Sequence, residues 1–203
     1  MAAATSSCPP ASRSTPVSDG AAPQQWRIHG ERLVYDNRWV HLALVDVEAP
    51  GSRRFEHHVI RLFRVAVAAI LDDQDRVVMM WRYRFVPGRF GWELPGGIIE
   101  ADEDGAAAAA RETEEETGWR PAGRLEHLLT FQPMVGMVDS PHELYVGRGA
   151  EFVAAPPADA EEAARVAWIP LADVPEMIAR DELLGAGTLV ALLHILATRA
   201  TGR

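Results

Sequence analysis

The chain has 203 residues, enough for one domain with a real core and a small appendage. Hydrophobic residues make up 48% and charged ones 24%, the balance of a soluble globular protein. With 29 acidic against 20 basic residues the net charge is −9, a poor match for nucleic acid, which needs clustered Lys and Arg. The lone Cys8 cannot form an internal disulfide. There is no apolar stretch of signal-peptide type and none of the roughly 18 residues that a membrane span needs, so a cytoplasmic protein without a membrane partner is expected.

In chain order, residues 1–25 are rich in Ala, Ser and Pro and read as a disordered tail. Residues 26–62 form a unit of strands. Ile28–Tyr35 and Trp39–Val47 carry β-branched and aromatic residues around a turn at Asp36-Asn37-Arg38, and Phe55–Leu62 is a third strand. Residues 63–203 follow as the main domain. Val65–Leu71 is a short apolar run closed by Asp72-Asp73-Gln74-Asp75, and Arg76–Trp81 returns from it as a hairpin. Phe85–Gly91 reads as a loop, Trp92–Leu94 as a short strand, and Pro95-Gly96-Gly97 as a turn. A helix is expected from about Asp104 to Thr117, with acids at its start and Gly118 just past its end. Leu125–Phe131, Glu143–Val146 and Arg165–Ile169 are strands, Gln132–Pro141 is a loop, and Pro156-Pro157 opens a loose connection. Asp173–Arg180, capped by Asp173, and Gly187 to about Thr198 complete the helices. Mixed strands with three helices indicate an α/β (α+β) sandwich.

The chemistry concentrates on the first helix. On a helical wheel Ala106, Ala109, Ala110, Thr113 and Thr117 share a face small enough to pack against a sheet. Arg111, Glu112, Glu115 and Glu116 fall away from it, with Ala108. Carboxylates this close repel one another, and Arg111 offsets part of that through Glu115, its i,i+4 neighbour. A hard divalent cation such as Mg²⁺ accounts for the rest, because it takes oxygen ligands and bridges carboxylates to substrate phosphates. An isolated acidic helix face is ordinarily just solvated surface. What separates this one from that reading is the Leu94-Pro95-Gly96-Gly97 approach, whose glycines let a backbone carbonyl come near a metal.

The segment 97–119, GIIEADEDGAAAAARETEEETGW, resembles the Nudix box. Gly97, Glu103, Arg111, Glu112, Glu115, Glu116 and Gly118 stand at the required spacing, and Trp119 fills the final apolar slot. Thr113 departs from it, standing where an aliphatic residue is usual, a change of packing and not of chemistry. WRYR at 81–84 and WELPGG at 92–97 are similar to the QYR and ELPAG stretches of the ADP-ribose pyrophosphatase branch. So are LVYDNRWV at 33–40 and the loop holding Pro133, which is assigned to the substrate side. That loop departs from the branch's SPG pattern and reads QPMVGM.

The resemblance implies a Nudix-type α/β/α sandwich with a mixed sheet, preceded by N-terminal antiparallel strands that pair two chains into a homodimer. It implies metal binding by Glu112, Glu116, Glu115 and the Gly96 carbonyl, with Mg²⁺ or Mn²⁺ as the ion. Arg111 orients the catalytic glutamates, while Gly97, Glu103 and Gly118 shape the loop. Arg84 and Glu93 contact the substrate, with Arg82 a neighbouring candidate by charge. Glu143, then Asp139, is assigned as general base, the alternative being a box glutamate. The implied reaction is hydrolysis of a nucleoside diphosphate derivative, ADP-ribose or an ADP-sugar. Hydrolysis of another nucleotide and a non-catalytic ADP-ribose-binding regulator are the alternatives. His57-His58 is set aside as a metal pair because neighbouring strand residues point to opposite faces. Trp26, Trp81 and Trp92 are read as packing residues.

Overall fold

The structure, a computed structural model, describes residues 24–155 and 165–201. All but the last two residues of the tail expected over 1–25, and the Pro156-Pro157 connection, lie outside them.

The N-terminal strands β1 (Arg27–Asp36), β2 (His41–Glu48) and β3 (Arg54–Arg61) form an antiparallel meander. Then come β4 (Val65–Leu71), β5 (Arg76–Arg84), β6 (Arg89–Glu93) and β7 (Gly96–Ile98), followed by helix α1 (Gly105–Thr117). The chain continues through β8 (Trp119–Pro121), β9 (Glu126–Phe131), β10 (Val138–Asp139), β11 (His142–Arg148), β12 (Ala150–Phe152) and β13 (Arg165–Pro170). A 3₁₀ turn at Leu171–Asp173 leads into α2 (Val174–Ala179), and α3 (Ala186–Ala200) follows.

The main sheet runs β13-β5-β4-β11-β9, with β6 on β5 and β7 on β4. Strand β4 is parallel to β11, and the other pairings in this sheet are antiparallel. The unbroken apolar run of β4 follows from its central place, since both of its faces are covered. Ala66, Ala68 and Ile70 pack with Ala108 and Ala109 of α1, whereas Val67, Ala69 and Leu71 pack with Ala191, Leu192 and Ile195 of α3. One helix on each face makes the expected α/β/α sandwich.

Several boundaries differ from the sequence reading, each for a tertiary reason. Strand β5 runs on to Arg84, and residues 89–91, expected in a loop, join β6 because they pair with it. Gly96-Gly97 is a strand, not a turn. A Cβ on Gly96 would overlap the Ala66 carbonyl, so glycine serves close approach to β4. The 132–141 loop contains β10, which lies parallel to β3 and ties the N-terminal sheet to the main domain. The short β8–β12 pair carries no sequence signal of its own. Ala108, placed away from the sheet on the wheel, is fully buried beside Ala109. The Asp173 side chain makes no capping hydrogen bond; the 3₁₀ turn leads directly into α2.

Candidate active site

β4 and β5 are in register at their shared turn through Leu71 and Val77. Further along, β4 takes β7 as its partner and β5 takes β6. The link from β6 to β7, which carries Glu93-Leu94-Pro95, therefore lies between two strands that have parted. Helix α1 crosses the same face, and the site forms where these pieces meet.

Helix α1 is fixed at both ends. The Asp104 carboxylate accepts from the Ala106 and Ala107 N–H groups at 3.1 and 3.2 Å, satisfying two otherwise unpaired donors. At the other end Gly118 adopts φ 76°, the left-handed conformation that glycine tolerates best, and donates to the Glu114 carbonyl. Thr113 and Thr117 are buried on the sheet side with their hydroxyls bonded to carbonyls one turn back, which satisfies a polar group at the usual aliphatic position.

This anchoring directs Glu112 and Glu116 at β7. The Gly96 N–H donates to Glu116 Oε2 at 2.8 Å. Gly97 has no side chain because the Glu112 carboxylate occupies the space a Cβ would need. Arg111 donates to Glu103 at 2.9 and 3.0 Å, to Glu112 at 2.7 Å, to Glu115 at 3.1 Å and to the Ile98 carbonyl at 3.2 Å. It thus holds two box glutamates while bracing the loop through Glu103, whose carboxylate also accepts from the Glu100 N–H. Glu115 is the exposed member, with 59% of its side chain accessible against 17% for Glu112.

Burial sets the proton affinities. It raises the Glu112 pKa against the pull of Arg111, and it raises that of Glu116 against Arg82 and the Gly96 N–H. Glu103 is held below the ordinary carboxylate range by its hydrogen bonds to Arg111.

Strand alternation puts Arg82 and Arg84 on the α1 side, with Glu93 beside them across the β5–β6 ladder. Arg84 pairs with Glu93 through Nε at 3.0 and 3.2 Å and Nη2 at 2.8 Å. Arg82 is 1% exposed and donates from Nη1 to Glu116 Oε1 at 3.0 Å. A cavity of about 580 Å³ opens beside this group, floored by Arg82, Arg84 and Glu93 and walled by Tyr83, Phe85, Val86, Pro87, Leu184 and Gly185. No periodicity in the sequence marked those wall residues, which come from a hairpin tip and from the segment before α3.

Other assigned residues stand elsewhere. Glu143 is the second residue of β11, with one oxygen paired to Arg64 and the other accepting from the Tyr145 hydroxyl at 2.7 Å. Burial pushes its pKa up, but Tyr145 and Arg64 outweigh that and the net direction is down. Asp139 accepts from Arg61 at 3.0 Å and from Gln132 at 3.1 Å, in the N-terminal sheet. Pro133 lies in an exposed turn. His57 bonds the Gly136 carbonyl, and Trp81 and Trp92 pack against each other as expected of packing residues.

Among the described residues no three His, Cys, Asp or Glu side chains stand together as a ready metal cage. The donors nevertheless fit a hard cation. They are carboxylate oxygens beside Gly96 and Gly97 of β7, and burial disfavours their charge unless a positive group compensates it.

The comparisons with known proteins bear on the family and the fold. A family model described as NUDIX domain matches residues 62–186. The chain is 44% identical, over 85% of its length and 82% of the relative's, to the CMP-5'-(N-acetyl-N-hydroxy-3-aminopropyl)phosphonate hydrolase of Streptomyces rubellomurinus. It is 30% identical to the ADP-ribose pyrophosphatase of Mycobacterium tuberculosis, over 76% of this chain and 73% of that one. The crystal structure of an ADP compounds hydrolase shares the fold, with a TM-score of 0.76 at 19% identity, over 91% of this chain and 100% of that one. A box helix braced by Arg111, two glutamates turned onto a Gly-Gly strand and a family match spanning both lead to one conclusion: the chain belongs to the Nudix family, as a hydrolase acting on nucleoside diphosphate derivatives and resembling the ADP-ribose pyrophosphatase branch.

Proposed function

We propose that the chain is a Mg²⁺-dependent hydrolase, with Mn²⁺ able to substitute, that splits ADP-ribose or an ADP-sugar into AMP and a sugar phosphate. The observation carrying this reading is the convergence of Glu112 and Glu116 on Gly96-Gly97, beside a cavity floored by Arg84 and Glu93. When bound to Glu112, Glu116 and the Gly96 carbonyl, with Glu115 as a further ligand or as the base, the cation would neutralise diphosphate charge and acidify a water. Arg84 faces the cavity and offers a guanidinium for a phosphate oxygen, with Glu93 setting its orientation. A water oxygen bonds to one phosphorus as the bridging P–O bond breaks, and the bridging oxygen leaves on the other phosphate. The water proton passes to a carboxylate. Glu115, exposed and held by Arg111, suits that role better than Glu143 or Asp139, whose oxygens are engaged by Arg64 and Tyr145 or by Arg61 and Gln132.

The relative at 44% identity favours a second reading, in which the substrate is a cytidine nucleotide joined to a phosphonate and the product is CMP. The bond broken and the residues used are the same. We also propose that the N-terminal strands pair two chains into a homodimer.

A hydrolysis screen with Mg²⁺ tests these readings, using ADP-ribose, nucleotide sugars, dinucleotides, nucleoside triphosphates and a CMP-phosphonate. Selective AMP release from ADP-ribose supports the first reading, and selective CMP release the second. Folded protein that turns over none of them with Mg²⁺ or Mn²⁺ overturns both and leaves a binding role.

A further inference from the structure

Arg82 is the largest fully buried side chain among the described residues, with 1% exposure. A guanidinium does not give up its proton in a protein, so burying one requires acceptors. Nη1 donates to Glu116 Oε1 at 3.0 Å, and Nε stands 3.4 Å from Glu93 Oε2. The other oxygen of Glu116 is taken by the Gly96 N–H at 2.8 Å. The Glu116 carboxylate, delivered by α1, is therefore gripped by donors from two strands, β5 and β7. Glu93 is in turn shared with Arg84, which is 41% exposed at the cavity. One chain of charges thus runs from the cavity, through Arg84, Glu93 and Arg82, to the helix.

We infer that Arg82 is a positioning residue: it fixes the plane of Glu116, the metal-side carboxylate, and ties it to Glu93, the substrate-side one. With so little surface it offers a substrate almost nothing to touch. It also stands where the branch resembled by WRYR has the Gln of QYR, and one neutral amide cannot carry the charge that two carboxylates share here. Without Arg82, Glu93 would keep Arg84, whereas Glu116 would lose the cation between the two carboxylates and keep one of these two anchors. The inference rests on the proposed metal role of Glu116.

The test uses the full chain and two variants, Arg82→Met and Arg82→Lys, with Mn²⁺ as probe. Mn²⁺ binding is read by electron paramagnetic resonance without substrate, and kcat and KM are measured separately. Partners that orient metal ligands typically contribute about 10- to 100-fold to metal affinity or activity. Arg82→Met is expected to weaken Mn²⁺ binding by about tenfold or more and to lower kcat on the order of 100-fold, with KM within about threefold. Arg82→Lys, which keeps the charge and one point of contact, is expected to recover part of both losses. A purely electrostatic role gives the opposite sign, because removing a cation from the site would tighten Mn²⁺. Mn²⁺ affinity unchanged or tightened, or a raised KM with unchanged kcat, overturns the inference. If Arg82→Met does not fold, Arg82→Lys decides alone: weakened Mn²⁺ with unchanged KM supports the inference, and the reverse overturns it. A parent protein that binds no Mn²⁺ and hydrolyses nothing fails at the functional reading itself and takes this inference with it. An active, Mn²⁺-binding parent whose variants change KM alone fails at Arg82 only.

Discussion

Individual side chains in the site are held by more than one partner, which makes their replacement informative. Glu116 accepts from Arg82 and from the Gly96 N–H. Glu116→Gln keeps the shape and loses the charge, and kcat is expected to fall on the order of 10²–10³-fold with the circular dichroism spectrum unchanged. Near-normal turnover would sink the metal assignment. Gly97→Ala places a methyl group where the Glu112 carboxylate lies, so activity should fall sharply while the melting temperature changes modestly. Burial raises the pKa of Glu112, so folding makes its ionisation less favourable than in the unfolded chain. The stability it contributes is present below the ordinary glutamate pKa and lost as pH rises through the raised folded value. With metal removed by chelator, Glu112→Gln should therefore gain in melting temperature relative to the parent as pH rises above the ordinary glutamate range. Added Mg²⁺ should close that gap by stabilising the parent. Glu103 runs the other way: its depressed pKa gives stability present above the ordinary range and lost as pH falls.

Among the elements, α1 governs the site because its ends fix where its glutamates point. Asp104→Ala removes an N-cap that serves two N–H groups and should cost about 1 kcal/mol, or roughly 2–4 °C in thermal melting. Gly118→Ala is expected to be worse, by at least about 2 kcal/mol. It combines a left-handed φ of 76° with a Cβ placed against the Ala154 carbonyl. Equal losses from the two variants would mean that the C-terminal cap is not the tighter constraint. Helix α1 and strand β4 were readable in the sequence because their periodicities are local, 3.6 residues in one and a double-sided apolar run in the other. Strands β7 and β10 were not, since two or three residues become a strand through what lies beside them, and of β6 only the Trp92-Glu93 end was.

For the whole molecule, the N-terminal sheet bears on assembly. Strand β1 is exposed along its full length and, among the described residues, pairs with β2 alone, yet it carries Ile28, Leu33, Val34 and Tyr35, each more than half exposed. An apolar edge of this kind is a liability in a monomer and an asset in an interface. Light scattering should give twice the 22.3 kDa chain mass, and Leu33→Glu should shift the mass toward one chain. A parent that runs as a monomer at all concentrations would remove the homodimer proposal.

By itself the sequence determined the family, the helix with its caps and the glutamate set, because all of these are written in spacings within one stretch of chain. Tertiary structure decided what each charged group faces. Arg82 meets Glu116 across 34 residues and Arg64 meets Glu143 across 79, pairings that no local pattern encodes. A spacing states which face of an element a side chain occupies. Its protonation, its freedom to move and its role depend on the low-dielectric surroundings and on the partners that packing brings to it.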